Sequence, residues 1–358
     1  MQSKVYLFED LAFKNALQPL TQHRKVAELW VGTSTLESKW PNRVSNADQA
    51  DIRVMSGVVP TPPTFALLDQ LPADSSYVYN GQVLAQRGQG IHRIEQHLPF
   101  LQHPEDLLTY QAEFLKAEIK GNNPDSGNNT FVAPENIYIH PSAQVQGSIL
   151  DASKGPIYIG EGVTVQIGTL IQGPAALLRG ATTNIGAKIR PNTTIGPGCK
   201  VGGEMNHCLF FPFSNKAHEG YLGNSIVGSF SNLGALTNGS NLRNDIQTVS
   251  LYDYALKGPR NTGLKSLGQI IGDFVTTGVG TNLNTGTVIG SHSNLSSIGF
   301  PPRFIPSFSY GEYPALRAFD FEKAFASACA WIALKNQKIP ENLRQSMEEI
   351  WKADTSFR

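Results

Sequence analysis

The chain has 358 residues, with 29 Lys and Arg balanced by 29 Asp and Glu, so no global field holds nucleic acid or an acidic membrane and any anionic ligand must be caught locally. Three cysteines, Cys199, Cys208 and Cys329, lack CxxC spacing, which argues against a disulfide framework or a zinc knuckle and for buried thiols. With no leader-like start and no apolar run near the ~20 residues of a membrane span, a soluble, cytoplasmic protein is expected.

Residues 1 to 120 form the first predicted unit, a small α/β domain. "VYLFED" reads as a short buried strand, "VAELWVG" and "SYVYNG" as strand and turn material, and "RIEQHLPFLQHPEDLLTYQAEFLKAEIKG" as helical segments broken at prolines. "GNNPDSGNN" opens a linker spanning 121–136.

From 137 to 300 aliphatic residues recur every six positions: Ile139 and Val145; Ile159, Val165 and Ile171; Ile189, Ile195 and Val201; Ile271, Thr277, Leu283, Ile289 and Leu295. Glycine often follows the aliphatic residue, as in Ile195-Gly196 and Ile289-Gly290. That period suits neither a lone amphipathic helix nor an up-and-down sandwich, and it fits a parallel β-helix. One short strand per hexad lies on each side of a triangular prism, aliphatic side chains point inward, and glycine or asparagine accepts positive φ beside them. The phase breaks between Val201 and Leu222, and again between Leu233 and Ile270, and both breaks read as loops ejected from the solenoid, where chemistry is expected. Residues 301–358 read as a proline-rich crossing and an amphipathic helix, "LRAFDFEKAFASACAWIALKNQ".

The stretches "KIRPNTTIGPGCKVGGE", "NKAHEGYLGNSIVG", "SNLGALTNGSN" and "IIGDFVTTGVGTNLNTGTVIG" resemble the acetyltransferase half of bifunctional UDP-N-acetylglucosamine diphosphorylase/glucosamine-1-phosphate N-acetyltransferases. "LQPLTQHRKVAELWVGTSTLESKW" resembles the opening of that family's alternate bacterial branch. The resemblance implies a reduced nucleotidyltransferase-like α/β domain, then a left-handed parallel β-helix and a helical tail. It also implies a homotrimer with sites between subunits, acetyl-CoA as donor and a hexosamine 1-phosphate as acceptor, for UDP-N-acetylglucosamine synthesis.

Position by position, His218 matches the family's catalytic histidine. An amine must lose its proton before attacking a thioester, and imidazole, with an ordinary pKa of about 6.5, takes such protons near neutrality. Arg190 matches the arginine that holds the sugar phosphate, and Tyr221, Asn232 and Asn241 match positions that contact the acceptor. Val279 and Ser297 match pantetheine-lining positions, Arg303 an arginine that meets CoA phosphate, and Lys265 lies near a phosphate-binding lysine. The family's second basic residue for the acceptor phosphate falls at the neutral Asn206, so Lys216 is expected to replace that charge, or the acceptor is a different amino sugar or a sugar nucleotide.

The first domain departs further, with no glycine-rich loop after its first strand. Arg24 and Lys25 are its basic candidates, and Asp10 and Asp48 the nearest carboxylates for Mg²⁺, which is required only if this domain is active. The leading expectation is an N-acetyltransferase in which the amine attacks the thioester directly, with no resident metal. Alternatives are a bifunctional enzyme that also transfers a uridylyl group, and a non-catalytic scaffold that binds sugar nucleotides.

Overall fold

The computed structural model of the chain describes residues 3 to 296 and 299 to 354. Short strands stack into sheets of nine, ten and eight, which form faces 1, 2 and 3 of a prism; every pairing is parallel except that of Arg317–Ala318, which closes face 2 antiparallel to Ser309–Gly311. The chain crosses the faces in that order, as Ile157–Ile159, Thr164–Val165 and Leu170–Gln172 illustrate. The hexads set this geometry directly. Ile139 lies over Ile159 and Val145 over Val165, so each coil buries its aliphatic residue on the one before it. The inward side chains, among them Ile159, Val165, Ile171, Ile189, Ile195 and Val201, form one continuous buried core.

The solenoid is longer than its hexads. Thr130–Val132, within the segment read as linker, already pairs in parallel with Ile149–Asp151 on face 3. Past residue 300, Phe304–Ile305 and Ser309–Gly311 extend faces 1 and 2. The first phase break is not an ejected loop. Glu204–Asn206, Leu209–Phe210, Asn215–Lys216 and Tyr221–Gly223 continue the coils, with Met205, Phe210 and Lys216 at inward positions. Successive inward residues there are four and five positions apart, Val201 to Met205 and Met205 to Phe210, which breaks the six-residue count without breaking the stack. The second break begins with one more coil strand, Asn238–Gly239 on face 3, and only then leaves the solenoid as a true excursion, carrying an antiparallel hairpin of Ser250–Asp253 and Gly258–Asn261.

The amino-terminal domain is a mixed five-stranded sheet in the order Val5–Phe8, Ile52–Met55, Gln82–Arg87, Ser75–Tyr79, His92–Glu95. The "RIEQ" segment, expected to be helical, forms part of its edge strand; the helix of that region is Asp106–Glu118. This domain packs on the outer surface of face 1, where Leu209, Phe211, Ile226, Ile270 and Val288 join Leu17, Val26, Leu29 and Leu101 in one buried cluster. Polar ties fix the docking: Gln111 Nε2 donates to Cys208 O at 3.0 Å, and Arg260 of the hairpin bridges Glu105 at 2.6 Å and Asp253 at 3.0 Å.

The corner between faces 1 and 2 carries a stack of Phe213, Phe230, Phe274, His292 and Phe308, with successive ring centroids 5.0, 5.2, 4.9 and 4.8 Å apart. All five have positive φ, from 56° to 67°. That conformation costs ~1–2 kcal/mol per residue, but a stacked pair returns ~0.5–1.5 and burial of a large apolar side chain ~1.5–3, so the stack is net favourable. The helices Phe321–Leu334 and Leu343–Ala353 cover it.

Candidate active site

His218 stands on the corner between Asn215–Lys216 of face 2 and Tyr221–Gly223 of face 3. Its imidazole is exposed and makes no hydrogen bond or ion pair among the described residues, while its backbone is tied on every side. Asn184 Nδ2 donates to Ala217 O, Lys216 Nζ to His218 O at 2.9 Å, and Leu236 N to Glu219 O at 2.8 Å. Gly220 has φ +127°, and a Cβ there would lie 2.3 Å from Thr237 O, so only glycine lets the coils approach this closely. The corner is rigid and the ring is free, which suits a side chain that must meet a proton on something not yet bound.

Face 3 beside this corner is polar. The register Lys188, Glu204, Tyr221 puts these side chains in one column, and Arg190 N donates to Met205 O at 2.8 Å, which keeps Arg190 in the same extended run. Residues two apart share a side of a strand, so Lys188 and Arg190 project together from face 3, about two rungs of ~4.8 Å from Tyr221. Arg190 is exposed and spends one contact on Glu204, at 3.2 Å, leaving most of its donors for a ligand. Tyr221 donates to Asn241 Oδ1 at 3.3 Å, and Asn241 Nδ2 donates to Asn224 Oδ1 at 2.6 Å and to Ser266 Oγ at 2.9 Å. Burial pushes the Tyr221 phenol up, and a hydrogen bond with Asn206 opposes that shift.

Lys188 escaped the sequence reading. Its signal is two-residue spacing from Arg190, which carries meaning only once the strand is known to be one-sided toward solvent.

Of the expected residues, Arg190, Tyr221 and Asn241 lie on face 3 with Asn206, and His218 stands on the corner that leads into Tyr221–Gly223. Lys216 is a correction: it occupies the inward position between Val201 and Leu233, is fully buried, and directs its ammonium to Gly202 O and His218 O, away from face 3. It therefore supplies no charge to an acceptor. Asn232 lies on face 2, where it accepts from Asn215 Nδ2 at 3.4 Å, separate from the face 3 group. Val279 shares the His218 edge two coils on and is 74% exposed. Arg303 and Lys265 are exposed on the far side of face 3, and Ser297 lies outside the described residues. In the first domain Arg24 is committed to Leu20 O, Ser229 and Asp273, the last at 2.6 Å, and Asp10 caps the helix Leu11–Ala16. Arg24 and Asp10 are thus engaged in holding the domain to the solenoid and to itself, whereas Lys25 and Asp48 are exposed.

No family model matches the chain. It is 34% identical over 113 residues to the bifunctional protein GlmU of Methanococcus vannielii, covering 31% of this chain and 27% of that protein. The chain thus spans about a quarter of the length of the GlmU relatives it matches. A bifunctional sugar-1-phosphate nucleotidylyltransferase/acetyltransferase of Sulfurisphaera tokodaii is 30% identical over 145 residues, covering 40% of this chain and 35% of that protein. Among solved structures, PerB of Caulobacter crescentus, in complex with CoA and GDP-perosamine, is 20% identical over 53% of this chain and 58% of that chain, with a TM-score of 0.19. The uncharacterized acetyltransferase YaiX of Escherichia coli O6:K15:H31 is 32% identical over 164 residues, 45% of this chain and 70% of its own length. On that match, and on the stacked hexads it shares a chain with, this protein belongs to the acetyltransferase family that includes YaiX, as a hexapeptide-repeat member.

Proposed function

We propose that the protein transfers acetyl from acetyl-CoA to the amine of a phosphorylated amino sugar, glucosamine 1-phosphate first among acceptors, in the synthesis of UDP-N-acetylglucosamine. The observation that carries this reading is a free imidazole on a rigid corner beside a face bearing two cations, Lys188 and Arg190. A phosphate seated on those cations leaves the sugar amine toward Tyr221 and His218. His218 takes the ammonium proton as the amine attacks the thioester, and the thiolate of CoA leaves. Val279, and further out Arg303 and Lys265, line the proposed course of the donor. With two cations available, the neutral Asn206 is no obstacle to phosphate recognition.

Exposed apolar residues run along the His218 edge: Ile167 at 60%, Ile185 at 68%, Leu236 at 53% and Val279 at 74%. They support a homotrimer in which face 2 of one copy meets face 3 of the next, which is how Asn232 and Arg190 serve one acceptor. The amino-terminal domain acts as a structural cap on face 1 in this reading, since Arg24 is spent on Asp273.

The test is a panel of acceptors with acetyl-CoA: glucosamine 1-phosphate, glucosamine, and amino-sugar nucleotides, each followed by CoA release and product mass. Turnover of glucosamine 1-phosphate at least tenfold above glucosamine supports the proposal. Preference for a nucleotide-linked amine transfers the site to sugar nucleotides, and pyrophosphate release from UTP overturns the capping role.

A further inference from the structure

On face 2 the inward column reads Val165, Thr183, Val201, Lys216, Leu233, Thr277, Leu295, each at most 6% exposed. The single charged member sits in the coil that carries His218. A valine or leucine would fill the same position at no desolvation cost, so the lysine breaks the local rule without a packing reason, and such breaks mark functional positions. Its ammonium lies 2.9 Å from His218 O and 3.3 Å from Gly202 O, the corner carbonyls of this coil and the one before. It is also close to where a Cβ on Gly220 would lie, at 3.3 Å, which is a second reason this corner needs glycine.

We infer that Lys216 is a positioning residue for His218, acting from inside the prism by holding the His218 carbonyl so that the imidazole faces the acceptor. This rests on His218 being the base. Without the ammonium, the half-buried carbonyl is left without its lysine donor, and the peptide gains freedom to rotate. A displacement of ~1 Å at a catalytic group costs as much as ~100-fold in rate. Burial pushes Lys216 down from its ordinary 10.5 to about 8, opposed chiefly by the charge of Glu219; Cys208, the other titratable group that faces it, has its thiol pushed up to about 12 by burial and is neutral at that pH. The tie therefore weakens as pH rises through about 8, where the ammonium becomes an amine that still donates but without the charge that strengthens the bond.

The experiment compares wild type, Lys216→Met and His218→Ala, measuring kcat, KM for both substrates, thermal midpoint, and the pH profile of kcat from 6 to 10. Lys216→Met is expected to keep the thermal midpoint close to that of wild type and both KM values within about twofold, to lose kcat roughly tenfold or more, and to lack the alkaline decline near pH 8. Wild-type kcat and pH profile in a folded Lys216→Met overturns the positioning role while leaving the base intact. Undiminished turnover in His218→Ala removes the base itself, and with it the object that Lys216 positions.

Discussion

Lys188 and Arg190 project side by side from face 3, and of the two only Arg190 is ion-paired among the described residues, with Glu204 at 3.2 Å. If both meet the acceptor phosphate, each charge-assisted pair is worth ~1.5–3 kcal/mol, or roughly 10- to 100-fold in affinity. Arg190→Ala and Lys188→Ala are each expected to raise the KM for a phosphorylated acceptor by that factor, leaving the KM for acetyl-CoA within about twofold. Steady-state kinetics with both substrates varied checks this, and an unchanged acceptor KM in both variants removes the phosphate subsite from face 3. His218, Arg190 and Tyr221 were legible from the sequence because the resemblance is densest there. Lys216 was misread for a physical reason. Whether a residue points into or out of the prism depends on the corner before it, and the four- and five-residue spacings before Met205 and Phe210 shift that phase.

At the scale of elements, the hexads made the faces legible and hid what covers them. The outward residues of face 1 count as arbitrary positions in a hexad, yet Leu209, Ile226, Ile270 and Val288 form the floor on which the first domain sits. The aromatic corner stack escaped for the same reason. Within that stack His292 takes the place of a phenylalanine and shares a 2.7 Å hydrogen bond with His23, whose other nitrogen meets Ser346 at 2.8 Å. One pair thus joins the first domain, the solenoid and the last helix. Burial pushes His23 down to about 4, with Asp273 opposing, and pushes His292 well below its ordinary 6.5. Unfolded histidines take up protons near 6.5, whereas the native pair stays neutral until about pH 4, so stability falls as pH drops through that window. His23 alone accounts for on the order of 3 kcal/mol across it. Thermal midpoints between pH 7 and 4 are expected to fall less steeply for His292→Phe than for wild type; parallel curves would show that the pair stays protonated or exposed in the native state.

At the scale of the whole molecule, the apolar edge of Ile167, Ile185, Leu236 and Val279 runs beside the one corner that presents a free imidazole. If a second copy covers that edge, Ile167→Glu with Ile185→Glu sets two carboxylates in the interface. Light scattering is then expected to show a shift from trimer toward monomer, with acetyl transfer lost alongside; an unchanged mass places the copies elsewhere. The sequence announced the prism through its period, but neither the face that docks the first domain nor the edge left open could be told apart until the strands were registered. The account turns on His218 as the base for amine acetylation. The most direct measurement is CoA release by purified His218→Ala with acetyl-CoA and glucosamine 1-phosphate, alongside a thermal midpoint to confirm folding. The predicted result is a folded protein with kcat reduced about 100-fold or more; a folded variant that turns over at the wild-type rate contradicts the account.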